Sequence, residues 1–398
     1  MGRTLHRSLI LTCAALVSGA LAGCGVQGTP TAAEIDVRTL DVGQYPVDRH
    51  SYDGPAAGKG ALLEGMRMSD AVVSGIRIDP SLTAGSGGRV VVDSGDATRH
   101  LLAVVSKPAL DRNKMVVGYV AAGSDKTGSM DRAATSVTDL VMRFPDEAAA
   151  RAAAQQLEDA DFGVAPDLNR KLTLPKYPDA FVHYRPGIAT IGTFMPYKQF
   201  VISLFVERPR AEEADLLAWV QKTLDAEVPA LEQFHATPQN QLDSLPVDPG
   251  GLLARAVVED RSNRTPDVND FAVYGAPAFV TISSDVPGRQ RLVDDTGMDA
   301  IAVADNSSVM RVRDTDAGTR LINGMITSSG RQYDPADAPR GVPGAKCLAL
   351  NSSGDAQKDS KFRCYVPYRR YVEVVNANSR DDVDRRVNAA YALLANSF

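Results

Sequence analysis

Phe194-Met195-Pro196-Tyr197-Lys198-Gln199-Phe200-Val201 returns later in the chain as Tyr365-Val366-Pro367-Tyr368-Arg369-Arg370-Tyr371-Val372. Both stretches read aromatic, apolar, Pro, Tyr, basic, polar, aromatic, Val. Working outward, Val141-Met142-Arg143-Phe144-Pro145-Asp146 resembles Val309-Met310-Arg311-Val312-Arg313-Asp314. Pro46-Val47-Asp48 matches Pro246-Val247-Asp248, and Leu62-Leu63 matches Leu252-Leu253. The matches keep the same order in both halves. A repeat of this size predicts two related domains, not a solenoid.

Periodicity fills in each copy. Leu140, Met142 and Phe144 alternate with Val141 and Arg143, which suits a strand. Pro145-Asp146-Glu147 then opens an alanine-rich helix to about Asp159, with acids in its first turn, as the helix dipole favours. Phe181–Tyr184, Ile191–Met195 and Phe200–Val206 read as strands, and a helix follows from about Ala211 to Glu227. The second copy repeats this: strand Val309–Arg313, a helix marked by Leu321, Ile322, Met325 and Ile326, then strands Cys347–Leu350, Phe362–Val366 and Tyr371–Val375. A last helix begins at Ser379, with Asp382 three residues on as a capping box. Each copy is therefore expected to be β-α-β-β-β-α. The expected fold class is α+β, with two duplicated domains, each an antiparallel sheet with helices on one face. The expected divisions are residues 35–236 for the first domain, 237–249 for a polar linker and 250–398 for the second domain.

The N-terminus carries an address. Arg3 and Arg7 precede an apolar run from Leu9 to Ala20, too short to span a bilayer. The run ends in Leu21-Ala22-Gly23-Cys24, which matches the lipobox of bacterial lipoproteins. Residues 1–23 are expected to be a signal peptide, Cys24 the lipidated first residue, and residues 24–34 a flexible tether. The membrane, reached through that lipid, is then the first partner, and the location is the extracytoplasmic face of the cell membrane. Cys13 leaves with the signal and Cys24 takes the lipid. Cys347 and Cys364 remain, and in an oxidising compartment a disulfide between them is the default. A metal site is the rival, although no histidine lies near either cysteine in sequence.

The chain carries 43 Lys+Arg against 49 Asp+Glu, a formal charge of -6. Losing Arg3 and Arg7 with the signal takes this to -8. An acidic balance argues against nucleic acid as a partner. Its 44% hydrophobic content is ordinary for globular protein.

No stretch fits G-x-S-x-G, S-x-x-K or H-E-x-x-H, the motifs of common envelope hydrolases, penicillin-binding enzymes and zincins. His183 reads as structural. Gly85-Ser86-Gly87-Gly88-Arg89 reads as a flexible turn and not a phosphate loop, because Val90-Val91-Val92 follows where a helix is required. Asp294-Asp295 and Asp314-x-Asp316 lack calcium-loop spacing. No catalytic residue, metal or cofactor is assigned. Tyr197, Lys198, Tyr368, Arg369 and Arg370 occupy equivalent hairpin positions and form a candidate contact surface, although ordinary turn chemistry also accounts for them.

The lipobox, the Leu40-Asp41-x-Gly43-x-Tyr45-Pro46 start and the strand running into Phe144-Pro145-Asp146 together resemble an uncharacterised lipoprotein family, defined as a domain of unknown function, of mycolic-acid actinobacteria. The resemblance implies location and architecture and brings no catalytic residues. The expected function is a non-catalytic envelope lipoprotein that binds a ligand or protein in the cleft between its domains. The alternatives are an envelope enzyme with an unrecognised site and an accessory subunit of an envelope complex.

Overall fold

The computed structural model describes residues 35–127, 134–262 and 264–398, so Cys24 and the leader lie outside the described residues. The first repeat opens on helices α1 (Gly60–Met68) and α2 (Gly75–Ile78). Strand β1 (Ala84–Val91), helices α3 (Ser94–His100) and α4 (Lys107–Arg112), and strands β2 (Val117–Ser124) and β3 (Ser136–Arg143) follow. Helix α5 (Glu147–Phe162), strands β4 (Arg170–Leu172), β5 (Phe181–Tyr184), β6 (Thr190–Tyr197) and β7 (Phe200–Glu207), and helix α6 (Glu213–Gln233) complete it. The second repeat runs β8 (Phe271–Gly275), α7 (Ala276–Thr281), α8 (Val286–Thr296), β9 (Ala300–Ala304), β10 (Ser307–Arg311) and α9 (Thr315–Ser328). It closes with β11 (Tyr333–Ala336), β12 (Lys346–Leu350), β13 (Phe362–Tyr368), β14 (Tyr371–Ala377) and α10 (Arg380–Asn396).

Each repeat makes a seven-stranded antiparallel sheet. The orders are β1-β2-β3-β7-β6-β5-β4 and β8-β9-β10-β14-β13-β12-β11, so every strand has its counterpart seven places later. The registers agree as well. Val141 faces Ile202 and Val309 faces Glu373, while Tyr197 faces Phe200 and Tyr368 faces Tyr371. The repeat read from short motifs is therefore a repeat in hydrogen-bond register.

Two features differ from expectation. The helices cover both faces of each sheet, not one. Leu140 and Met142 of β3 pack with Ala153 and Leu157 of α5, whereas Val137 and Val141 pack with Leu216 and Val220 of α6. In the second repeat Met310 meets α9 and Val309 meets α10. Successive residues point to opposite faces, so an unbroken apolar run such as Leu140-Val141-Met142 marks a strand buried on both sides. The repeat is also longer than β-α-β-β-β-α. An extra edge strand, β4 or β11, precedes β5 or β12, and a β-α-α-β unit precedes the whole. Strand β4 is only Arg-Lys-Leu and β11 contains Pro335, so neither alternates; proline is tolerated at such an edge because no neighbour needs its N–H.

Helix starts follow local chemistry. Asp146 accepts from Ala149 N (2.8 Å) and Asp314 from Ala317 N (2.7 Å), equivalent caps in the two repeats. Ser379 accepts from Asp382 N at 3.2 Å.

The repeats share one hydrophobic core cluster. The stretch after residue 35, read as the opening of the first domain, makes its contacts with the second. Tyr45 donates to Asp382 and lies under the Arg386 guanidinium, 4.7 Å from its carbon. Asn388 donates to the Asp41 carbonyl (2.9 Å) and Asn396 to that of Val47 (2.7 Å). The segment straps α10.

Cys347 and Cys364 are bonded, directly opposite one another on β12 and β13, and both are buried. The equivalent pair in the first repeat is Val182 opposite Thr193. Closing a loop of this length contributes about 3 kcal/mol in the chain-entropy model. Reduction is expected to lower the melting temperature of the oxidised protein by several degrees, read by scanning calorimetry with and without reductant. An unchanged melting curve would show that the bridge adds no stability.

Candidate functional site

A cavity of about 520 Å³ lies where the repeats meet. Equivalent elements supply its two walls. The first repeat brings Arg89 and Val90 from β1, Asp96 and Arg99 from α3, and Tyr119 from β2. The second brings Tyr274 from β8, Ala278 and Phe279 from α7, Ile282 just after it, and Ile301 and Val303 from β9. One wall is charged; the other is aromatic and aliphatic apart from Asn269. The volume is in the range of small-molecule sites.

The glycine-rich stretch explains how the walls come together. Gly85 to Gly88 is not a turn but part of edge strand β1, bulged between these two glycines, with Gly87 at φ +101°. A Cβ on Gly88 would lie 2.3 Å from Thr281 Oγ1, and one on Gly85 would lie 2.0 Å from the Ser283 carbonyl oxygen. Only a strand without side chains admits α7 so closely. The docking is then fixed by Gly85 N donating to the Ser284 carbonyl (3.3 Å), Val286 N to that of Thr83 (3.3 Å), and a Tyr119–Thr281 hydroxyl contact (3.1 Å). Burial pushes the Tyr119 phenol up to about 12, so it stays a neutral hydrogen-bonding group at physiological pH.

The charged wall is organised from within. Asp93 accepts from Asp96 N (2.7 Å) and caps α3. Asp96 accepts from Arg89 Nη1 (2.7 Å) and from Val92 N (3.1 Å). Arg89 Nη1 also donates to the Val90 carbonyl at 3.1 Å. The Arg89 Nη2 group has no hydrogen-bond partner among the described residues. Behind the apolar wall, the Arg289 guanidinium stacks on Phe279, 4.2 Å from the ring centre.

The residues of the candidate contact surface stand at two separate hairpins, and each basic group turns onto its own repeat. Lys198 lies 5.2 Å from the Tyr197 ring centre. Arg369 lies 5.5 Å from that of Tyr368 and 4.4 Å from that of Phe398. Arg370 donates to the Val312 carbonyl at 3.1 Å. Lys198 and Arg369 both adopt φ near +50°, the left-handed region that these tight hairpins require. His183 is buried, with Nδ1 2.7 Å from Glu158 Oε2. Among the described residues no cluster of metal-ligating side chains occurs, and no helix is long and apolar enough to cross a membrane.

The cleft residues were not singled out from the sequence. Only Gly88, Arg89, Val90 and Val92 fall in stretches that the sequence marks, and the available signal is glycine inside an otherwise strand-like run.

A matched pair of seven-stranded α+β repeats enclosing a cleft defines the class. The chain belongs to the two-domain family DUF7373: the N-terminal domain of unknown function matches residues 51–247 and the C-terminal one residues 252–397. Among curated proteins no match was found. Among solved structures, the chain is similar to the extracellular domain of PknH from Mycobacterium tuberculosis, at 10% identity over 46% of this chain and 100% of that one, with a TM-score of 0.27.

Proposed function

We propose that this protein is a cell-envelope lipoprotein, held to the membrane through Cys24, that binds a ligand without transforming it in the cleft between its repeats. The cleft carries the reading. It is concave, built by equivalent elements of two repeats, and preformed by the shared core and the β1–α7 docking. The signal-like leader ending in Leu21-Ala22-Gly23-Cys24 supports the location, as does a disulfide, which suits an oxidising compartment.

Two tests follow. Cys24→Ala is expected to release the protein from the membrane fraction or leave its precursor uncut, read by fractionation and intact mass; normal processing with full membrane retention would refute the anchor. Native mass spectrometry of the Cys24→Ser protein, after exposure to envelope extract, is expected to show a retained small molecule. The retained mass should fall away in Ile282→Trp, which narrows the rim at a position 58% exposed in the native protein. A retained protein would favour an accessory subunit, and a consumed extract component an enzyme.

A further inference from the structure

We infer that the α5 face of the first sheet holds a second binding site, a groove for a cation on an aliphatic stem, an alkylammonium or alkylguanidinium, with the charge on Asp161 and the stem on Phe194 and Phe205. It is separate from the cleft between the repeats.

The groove encloses about 240 Å³ between the Leu101–Ala103 segment, the end of α5 and the sheet. A row across three strands makes its floor: Gly192 of β6 lies opposite His183 of β5 on one side and Phe205 of β7 on the other. The backbone at Gly192 does not require glycine. Its φ lies outside the left-handed region, and a Cβ there would stand 3.6 Å from His183 Cε1, an ordinary contact. Glycine inside a strand weakens it and often marks a close approach by a ligand. Here the missing side chain opens the floor, and Phe205 beside it is 46% exposed.

The second repeat treats the same register differently. Its row is Leu348, Arg363 and Asn376, so an arginine stands where the first repeat has glycine. The Arg363 Nε donates to Asn376 Oδ1 at 3.1 Å, and the guanidinium lies 4.9 Å from the Tyr333 ring centre. One repeat covers this place with its own stemmed cation. The other leaves it bare and puts a phenyl ring where the asparagine would be.

Charge points the same way. Asp161 is the one charged residue lining the groove among the described residues. It stands in the last turn of α5 with Glu158 and Asp159, at the helix end that favours cations, and that turn has no basic residue. The neighbouring charges are settled among themselves. His183 Nδ1 is 2.7 Å from Glu158 Oε2, and Lys171 Nζ lies 3.6 Å from Glu158 and 3.8 Å from Asp159. His183 Nε2 is 3.6 Å from Asp161 Oδ2, too far for a hydrogen bond. The Asp161 carboxylate thus accepts no side-chain hydrogen bond among the described residues, and at 33% exposure it is within reach of a ligand. With the helices aligned on their caps, Asp146 and Asp314, the second repeat has Ile326 and Ser329 in place of Glu158 and Asp161. An ammonium or guanidinium supplies the donors that Asp161 lacks. The Phe194 and Phe205 rings take the stem, and an aromatic face also attracts a cation. An anion would meet a carboxylate with no counter-charge on the wall.

The test uses the Cys24→Ser protein and calorimetric titration with hexylammonium, hexylguanidinium, hexanol, hexanoate and the capped peptide acetyl-Gly-Arg-Gly-amide. The hexyl cations are expected to bind about ten-fold more tightly than hexanol, a difference typical of a charge-assisted hydrogen bond, and hexanoate more weakly than hexanol. The peptide distinguishes the sources: binding tighter than that of hexylguanidinium assigns the groove to an arginine of a protein partner, and weaker binding to a free amine. Asp161→Asn is expected to bring the cations down to hexanol without moving hexanol itself. Gly192→Arg, which restores the side chain of the second repeat, is expected to block every probe and to raise the melting temperature by a few degrees. Phe205→Asn, at a half-exposed position, should weaken every probe that carries a hexyl stem. Equal binding of hexanol and the cations, or cation binding unchanged in Asp161→Asn, would overturn recognition of the charge. Binding that persists in Gly192→Arg, or no binding by any probe, would overturn the groove. The cleft contains neither Asp161 nor Gly192, so failure here leaves that site standing.

Discussion

Glu64→Leu is expected to destabilise the protein by about 3–5 kcal/mol, the cost of leaving a buried charge without its counter-ion. Arg143, at the end of β3, is 2% exposed, and its Nη1 donates to Glu64 Oε1 at 2.5 Å. Glu64, on α1, is fully buried and also accepts from Arg67 Nη1 (2.5 Å), Thr237 N (2.9 Å) and Thr237 Oγ1 (2.8 Å). Arg143 Nη2 donates to the Thr237 carbonyl. One carboxylate thus joins a helix, a strand end and the segment between the repeats. Replacing both partners, Glu64→Leu with Arg143→Met, should recover much of the loss, because neither charge is then stranded. The molecule supplies its own control. Arg311 occupies the equivalent position in the second repeat, but there it lies partly exposed against Asp299 at 2.8 Å. Arg311→Leu should cost less than about 1 kcal/mol. Urea unfolding of the wild type and the three variants measures this. A Glu64→Leu loss no larger than that of Arg311→Leu would show that the node does not hold the fold.

Stability is also expected to fall as pH rises from about 5 to 8. Burial pushes the Glu373 carboxyl up to about 8, although its hydrogen bonds from Val257 N (2.7 Å) and Ser307 oppose the shift. Burial raises both members of the Asp139–Glu227 pair in the first repeat as well, and the neighbouring Glu227 raises Asp139 further. A raised carboxyl keeps its proton in the folded state after the unfolded state has lost it. The stabilising contribution is complete below the unfolded value near 4.5 and is lost as pH climbs through the folded one. Each proton so held contributes a slope of about 1.4 kcal/mol per pH unit within that window. Glu373→Gln keeps an acceptor for Val257 N without the ionisation. Its midpoint of denaturation should lie close to wild type at pH 5.5 and above it at pH 9. A wild-type midpoint that is flat or rising between those values would refute the assignment.

These two carboxylates also show what was legible in the chain and what was not. The duplicated stretch around Pro196 and Pro367 was readable because a hairpin demands alternation, a turn and paired aromatics at fixed spacing. Asp146, Asp314 and Ser379 announced their helices because caps act on the nearest amides. Helix α6 ran past its expected end at Glu227 to Gln233, carrying Pro229 inside it; tertiary packing of Leu231 overrode a local breaker. The β-α-α-β half of each repeat was obscure because its first strand in the first repeat, Ala84–Val91, is interrupted by Gly85, Gly87 and Gly88. The cleft could not be read as a unit, since its walls come from six elements of two repeats joined only by folding. Both repeats place a carboxylate against an Ala-Val-Val segment, Glu227 beneath Val73 N (2.9 Å) and Glu373 beneath Val257 N (2.7 Å), yet one comes from a helix and the other from a strand. Motif comparison has no means of aligning them.

The strap on α10 bears on the order of assembly. Its contacts, such as Tyr45 with Asp382 and Asn396 with Val47, join residues 337 and 349 positions apart. During synthesis the strap is made long before its seat, α10. Everything between must be made before the two can meet, and closing so long a loop is a late and slow event. The nascent chain therefore carries the strap unsatisfied until α10 has been made, and loss of the last turns of α10 would unfasten residues 349 positions earlier.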